Sequence, residues 1–268
     1  MTQDSIDIAW WQLALFSLTL IIPFAINFRY QLEIGKDAVV GLLRMTVQLF
    51  LIGLYLQYLF TLNSLWVNLL WLLIMLLVGS SAIIKKAKLP VRPMLVPVLS
   101  GLLVGLLPLL MLLSLVIIQP QPYYHAQYLI PLAGMLLGNS VTSNIVCLQH
   151  FFSAFKDRWD EYEGAIALGA TSVQACRVFV QSALQKALAP ILATMATTGI
   201  VSLPGMMTGQ ILGGTSPMVA IKYQLLIMIA IWVMMSVSIT LCLFLVVRQR
   251  ISPEGRLKVT LLTNPRHD

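Results

Sequence analysis

The sequence predicts an all-α, polytopic integral membrane protein, and three observations carry that expectation. Of its 268 residues, 59% are hydrophobic and only 10% are charged, where a soluble domain has about a quarter of its residues charged. Several apolar runs exceed the roughly 18 residues needed to cross about 30 Å of hydrocarbon. Those runs are continuous and lack the period-two alternation of a membrane barrel.

Seven spans are expected, at residues 8–28, 39–59, 65–84, 94–118, 128–148, 191–212 and 224–247. The first reads as a span and not as a cleavable leader. Its preceding flank carries Asp4 and Asp7 in place of basic residues, and its apolar run is too long for a leader. Basic residues then gather in alternate loops: Arg29 and Lys36; Lys85, Lys86, Lys88 and Arg92; Lys156, Arg158, Arg177 and Lys186; and Arg248, Arg250, Arg256, Lys258 and Arg266 in the tail. The loops at 60–64 and 119–127 hold no Lys or Arg. The positive-inside rule therefore puts the N-terminus outside and the C-terminus in the cytoplasm. Seven is the odd number this asymmetry requires. Only Arg44 and Lys222 fall outside the pattern, and Lys222 reads as an interfacial anchor. The net charge of +7 reflects topology, which argues against a nucleic-acid partner. Cys147, Cys176 and Cys242 have no CxxC or Cys/His spacing, so neither a disulfide framework nor a metal cluster is expected. The whole chain, 1–268, reads as a single transmembrane domain.

Between the fifth and sixth spans, residues 151–190 form the longest cytoplasmic excursion. A charged helix is expected over 156–168, stopped by Gly169, where a glycine takes the left-handed position after a helix. Thr171 then reads as an N-cap, with Gln174 completing a capping box. A second cytoplasmic helix is expected from Ser172 to about Leu188, with Val173, Cys176, Val180, Leu184 and Leu188 on one face. Helix, tight turn, helix is a geometry that a partner's groove can grip. A plain amphipathic linker on the membrane surface is the alternative.

Glu163-Gly-Ala-x-x-x-Gly169 is similar to the E-A-A-x-x-x-G signature of ABC-transporter permeases, with Gly164 in place of the first alanine. "RMTVQL" (44–49), "IPLAGMLLGNS" (130–140), "ALGAT" (167–171), "TGIVSLPGMMTGQI" (198–211) and "AIKYQ" (220–224) extend the likeness. Together they resemble the FetB family of iron-export permeases, which is related to plant aluminium-tolerance permeases. The resemblance covers essentially the whole chain and is densest over 129–224. It implies a permease of the bacterial plasma (inner) membrane that exports iron or a related metal or complex. It also implies a homodimer of permeases, paired with a separate ATP-binding subunit of the FetA type. ATP and magnesium belong to that partner, and this chain is expected to bind no cofactor and to be no enzyme itself. Glu163, Gly164, Ala165, Gly169, Ala170 and Thr171 are the expected coupling surface. In agreement, the chain has no G-x-x-x-x-G-K-[ST] phosphate loop, and Gly35-Lys36 lacks the preceding glycine.

Pro204 and Gly205 predict a kink or break in the sixth span. Thr194, Thr198 and Ser202 are spaced at four residues and form one helical stripe leading into it. Asn139, Thr142 and Ser143 or Asn144 cluster on the fifth span. Polar groups at this depth face a bundle interior, a cavity or a partner helix. The reading is a translocation path lined by Asn139, Thr142, Asn144, Thr194, Thr198, Ser202, Pro204 and Gly205. Interhelical hydrogen bonding, or bonding back to the same helix, is the alternative. Arg44 and Gln48 share a face one turn apart, as a gate or anion site or, for Arg44, as a snorkelling side chain. Gly101/Gly105, Gly134/Gly138 and Gly205/Gly209/Gly213 have the spacing of close helix packing.

No Asp or Glu falls within an expected span; His150 lies at a span's cytoplasmic edge and His125 in an outer loop. Iron prefers carboxylate and imidazole, so no metal site is recognisable and the iron expectation rests on resemblance. A secondary carrier or channel without an ATPase is one alternative, but it needs the missing acidic residues for ion coupling. A non-transporting scaffold is another, and it leaves the polar stripes without a role.

Overall fold

The computed structural model describes residues 8–250. Asp4, Asp7, Arg256, Lys258 and Arg266, used above for topology, lie outside them. The described residues form ten α-helices and no strand. The first span is α1 (Trp10–Ser17), a 3-10 turn (Leu18–Leu20) and α2 (Ile21–Tyr30). Then follow α3 (Gly35–Leu62), α4 (Leu65–Lys86) and α5 (Val91–Leu112), which closes in a wider π turn over Leu113–Ile117. Next come α6 (Ala126–Asp157), α7 (Trp159–Ala167), α8 (Ser172–Thr197), α9 (Gly205–Leu212) and α10 (Pro217–Arg250). Seven segments are long and apolar enough to cross a bilayer, one for each expected span. The protein is a multi-pass membrane protein.

The interior is built by α4, α5, α6 and α10, with α8 packed on α6 and α10. Leu102, Leu106, Leu136, Met234, Ile239 and Val246 lie at its centre. Close approach of α5 to α10 depends on small residues. A Cβ on Gly101 would stand 2.6 Å from the Ser238 carbonyl oxygen, and one on Gly105 would stand 3.2 Å from that of Met234. Only glycine at Gly101 lets these backbones meet. The other spaced glycines do not behave this way. At Gly138, Gly205 and Gly209 an added Cβ would meet nothing within 4 Å, so these positions are not packing seams within the chain.

The first two spans stand off this bundle. No residue of α1 or α2 is buried, and Leu59 is the single buried residue of α3. Leu59 packs with Ala126 and Ile130, and Tyr55 lies 4.5 Å from Trp71 between ring centres. Two amides finish this outer corner. Asn63 Oδ1 accepts from the Ala126 amide (3.1 Å), and Asn68 Nδ2 donates to the Tyr124 carbonyl (2.7 Å).

Two expectations about the second half are corrected and a third is made specific. The helix expected over 156–168 divides, because α6 continues to Asp157 and α7 starts only at Trp159. The expected second arm of the hairpin is no separate cytoplasmic helix. It is the first two-thirds or so of α8, a rod of 26 residues and about 39 Å, so the sixth spanning helix is Ser172–Thr197. The kink or break expected at Pro204 and Gly205 is a break: within 191–212 the helix stops at Thr197 and resumes as the short α9, which Pro204 caps. A proline at a helix start loses nothing, because the missing N–H has no partner in the first turn.

Candidate functional site

The α7–α8 turn is sharply defined, at the end of the bundle where α6 finishes and α8 begins. α7 finishes with two bonds: the Gly169 amide donates to Ile166 O (2.9 Å) and the Ala170 amide to Ala165 O (3.0 Å). This closure needs a left-handed residue, and Gly169 supplies it with φ +91°. Thr171 follows at once as the cap of α8. Its Oγ1 accepts from the Gln174 amide (3.3 Å), and its own amide donates to Gln174 Oε1 (2.9 Å). One helix therefore ends and the next begins within four residues, with nearly every backbone group satisfied locally.

An aromatic knot holds the turn in place. Phe155 lies 4.6 Å from Tyr162, 5.4 Å from Trp159 and 5.6 Å from Phe179 between ring centres, joining α6, α7 and α8. The Arg158 guanidinium sits over Phe179 and pairs with Glu161, and that hydrogen bond keeps the Glu161 carboxyl below the usual range. Burial pushes the Tyr162 phenol up, beside Ser172 at the start of α8. What remains outside is the tip. Glu163, Gly164, Gly169 and Thr171 are exposed, Ala165 and Ala170 are half-buried, and Leu168 is 91% exposed. Sequence reasoning missed the knot and the bare leucine. Phe151, Phe155, Trp159 and Tyr162 recur at helical spacing, and that pattern was the available signal.

The residues expected to line a path divide into two sets. Asn139 and Thr142 are exposed on α6, Asn139 donating to Met135 O (2.9 Å). Ser143 and Asn144 face inward. Asn144 Nδ2 donates to Ser140 O (2.8 Å) and Ser238 Oγ (2.9 Å), which ties α6 to α10 beside the Gly101 contact. Asn144 is thus an interhelical bond and does not share a surface with Asn139. On α8, Thr194 donates to Pro190 O (3.0 Å) and Thr198 to Thr194 O (2.7 Å), so both hydroxyls return to the backbone. Because the helix ends at Thr197, Ser202 does not continue the stripe; it lies exposed in the following turn, near Pro204 and Gly205.

Arg44 and Gln48 are exposed on α3, and Arg44 makes no ion pair among the described residues. No group of three or more His, Cys, Asp or Glu side chains comes together among the described residues. The three cysteines are buried free thiols.

Comparison with known proteins places these features in a family. The model of the uncharacterised protein family UPF0014 matches residues 10–251. The UPF0014 membrane protein YjkA of Bacillus subtilis is 33% identical over 80% of this chain and 84% of its own. Protein ALUMINUM SENSITIVE 3 of Arabidopsis thaliana is 34% identical, covering 79% and 76%. The "Probable iron export permease protein FetB" of Escherichia coli is 27% identical, covering 93% and 95%. No solved structure matches the chain.

Proposed function

This chain belongs to the UPF0014 family, and from that premise we propose that it is the permease subunit of an ATP-driven ABC transporter exporting iron or a related metal or metal complex. Its ATP-binding partner is of the FetA type and holds the ATP and magnesium. Two copies of this chain work together in the bacterial plasma (inner) membrane, N-termini outside. The capped α7–α8 turn carries the reading. A rigid tip with exposed Leu168 and Glu163, pinned by the aromatic knot, fits a groove on a soluble subunit. It costs little ordering entropy on docking, because both helix ends are already closed.

The turn also leads directly into a spanning helix, α8, which Thr171 caps, so a push on it is delivered into the membrane. Arg44, Gln48, Asn139 and Thr142 support the second copy. Polar side chains exposed along spanning helices are costly against lipid and are relieved by a partner helix or a wet path. The name of the Escherichia coli relative supports iron as cargo.

The test is co-purification with the ATP-binding subunit encoded beside it, followed by ATP hydrolysis and iron movement in liposomes. Glu163→Ala and Gly169→Val are expected to keep ATP hydrolysis while cutting transport by about tenfold or more, a loss of about 1.4 kcal/mol in coupling. Full coupling in both variants overturns the docking role. Failure to find any ATP-binding partner overturns the ABC reading itself.

A further inference from the structure

At the opposite end of the bundle from the α7–α8 turn, a cavity of about 420 Å³ opens between the start of α6, α9 and the start of α10. Its size is that of a small-molecule site, far above the roughly 30 Å³ of one water. Two features define its chemistry. Its polar groups, Tyr128, Gln210, Thr215 and Tyr223 among them, are all neutral, and no charged residue lines it. Its remaining wall is apolar and includes Met135 from α6 and Met206 from α9.

Gln210 gives the cavity its direction. Its Oε1 is buried and has no hydrogen-bond partner within the protein. A buried amide oxygen without a donor costs about 1–3 kcal/mol, and an occupant that brings an N–H or O–H to it, as the side chain turns toward the cavity, relieves that cost. Neighbouring backbone does not supply it, because the Thr215 amide is already committed to the Gln210 main-chain carbonyl (2.9 Å). A bare divalent cation is a poor occupant here. It would surrender hydration to neutral walls with no counter-charge, and its preferred carboxylate and imidazole ligands are not among the lining residues.

We infer that this cavity receives an uncharged ligand bearing N–H or O–H donors and an apolar face, so that iron passes as a neutral chelate and not as the free ion. The inference rests on the permease reading above and names its substrate class. Gln210 anchors the donor, the tyrosine and threonine hydroxyls hold the polar rim, and the methionines pack against the ligand's carbon skeleton.

The probe is ferric tris(acetohydroxamate), a neutral complex with N–H donors, titrated by calorimetry into the detergent-purified full chain, with ferrous ion alone as the comparison. The complex is expected to bind at least about tenfold more tightly than the ion. Gln210→Leu is expected to weaken it by about tenfold or more, in line with loss of a buried hydrogen bond. Gln210→Glu is expected to reverse the preference, losing the complex and gaining the ion. Ser236→Ala, remote on α10, serves as the control, and unchanged melting temperatures guard against misfolding. Ferrous ion binding as tightly as the complex, or a complex indifferent to both Gln210 variants, overturns the inference. Because binding is read on this chain alone, a missing ATP-binding partner leaves the result intact and strikes only the permease reading.

Discussion

Two residues decide more than their size would indicate. Gly169 sits at φ +91°, where any side chain meets strain, so Gly169→Ala is expected to destabilise the turn by about 1 kcal/mol. Hydrogen exchange at the start of α8 is the measurement, and unchanged protection there argues against a preformed turn. Asn144 is the second. Replacing it with leucine removes the bond to Ser238 Oγ and is expected to cost about 1–3 kcal/mol. A double-mutant cycle with Ser238→Ala isolates that bond, and additive losses would show that the two groups are not coupled. Gly169, Thr171 and Gln174 were legible in the sequence, because caps are local and their partners lie within four residues. Asn144 was not, since its partner is 94 residues away on another helix and spacing along one helix says nothing about which neighbour it meets.

At the scale of the helix, hydropathy found all seven spans but misplaced their ends around the sixth. The physical reason is that a helix continues as long as its own hydrogen bonds do, whereas hydropathy stops at the lipid boundary. α6 and α8 therefore overrun the apolar stretches, and the break read at Pro204 and Gly205 is the non-helical stretch 198–204 between α8 and α9. The α5–α10 seam is a property of whole elements too. Gly101→Ala puts a methyl group 2.6 Å from the Ser238 carbonyl oxygen, and forcing the helices apart is expected to cost about 1–3 kcal/mol. Gly138→Ala, which meets nothing within 4 Å, is expected to be tolerated. Melting temperatures of the two purified variants compare them directly, and equal values would deny the seam.

For the molecule as a whole, the alternation of basic loops predicts an orientation that labelling can read. The native cysteines are all buried, so background is low. Tyr123 and Val173 are exposed at opposite ends of the bundle. A membrane-impermeant maleimide added to intact cells is expected to modify Tyr123→Cys at once and Val173→Cys only after permeabilisation; the reverse result inverts the topology. The outer corner carries a consequence for how the chain is made. The amides of Asn63 and Asn68 are answered only by Ala126 and Tyr124, 63 and 56 residues further on. At a synthesis rate of roughly 5–20 residues per second, that is an interval of about 3–13 s. During that time the first two spans must survive in the bilayer as a free-standing pair. Their unburied, apolar exteriors suit them to wait in lipid for a partner the ribosome has yet to deliver.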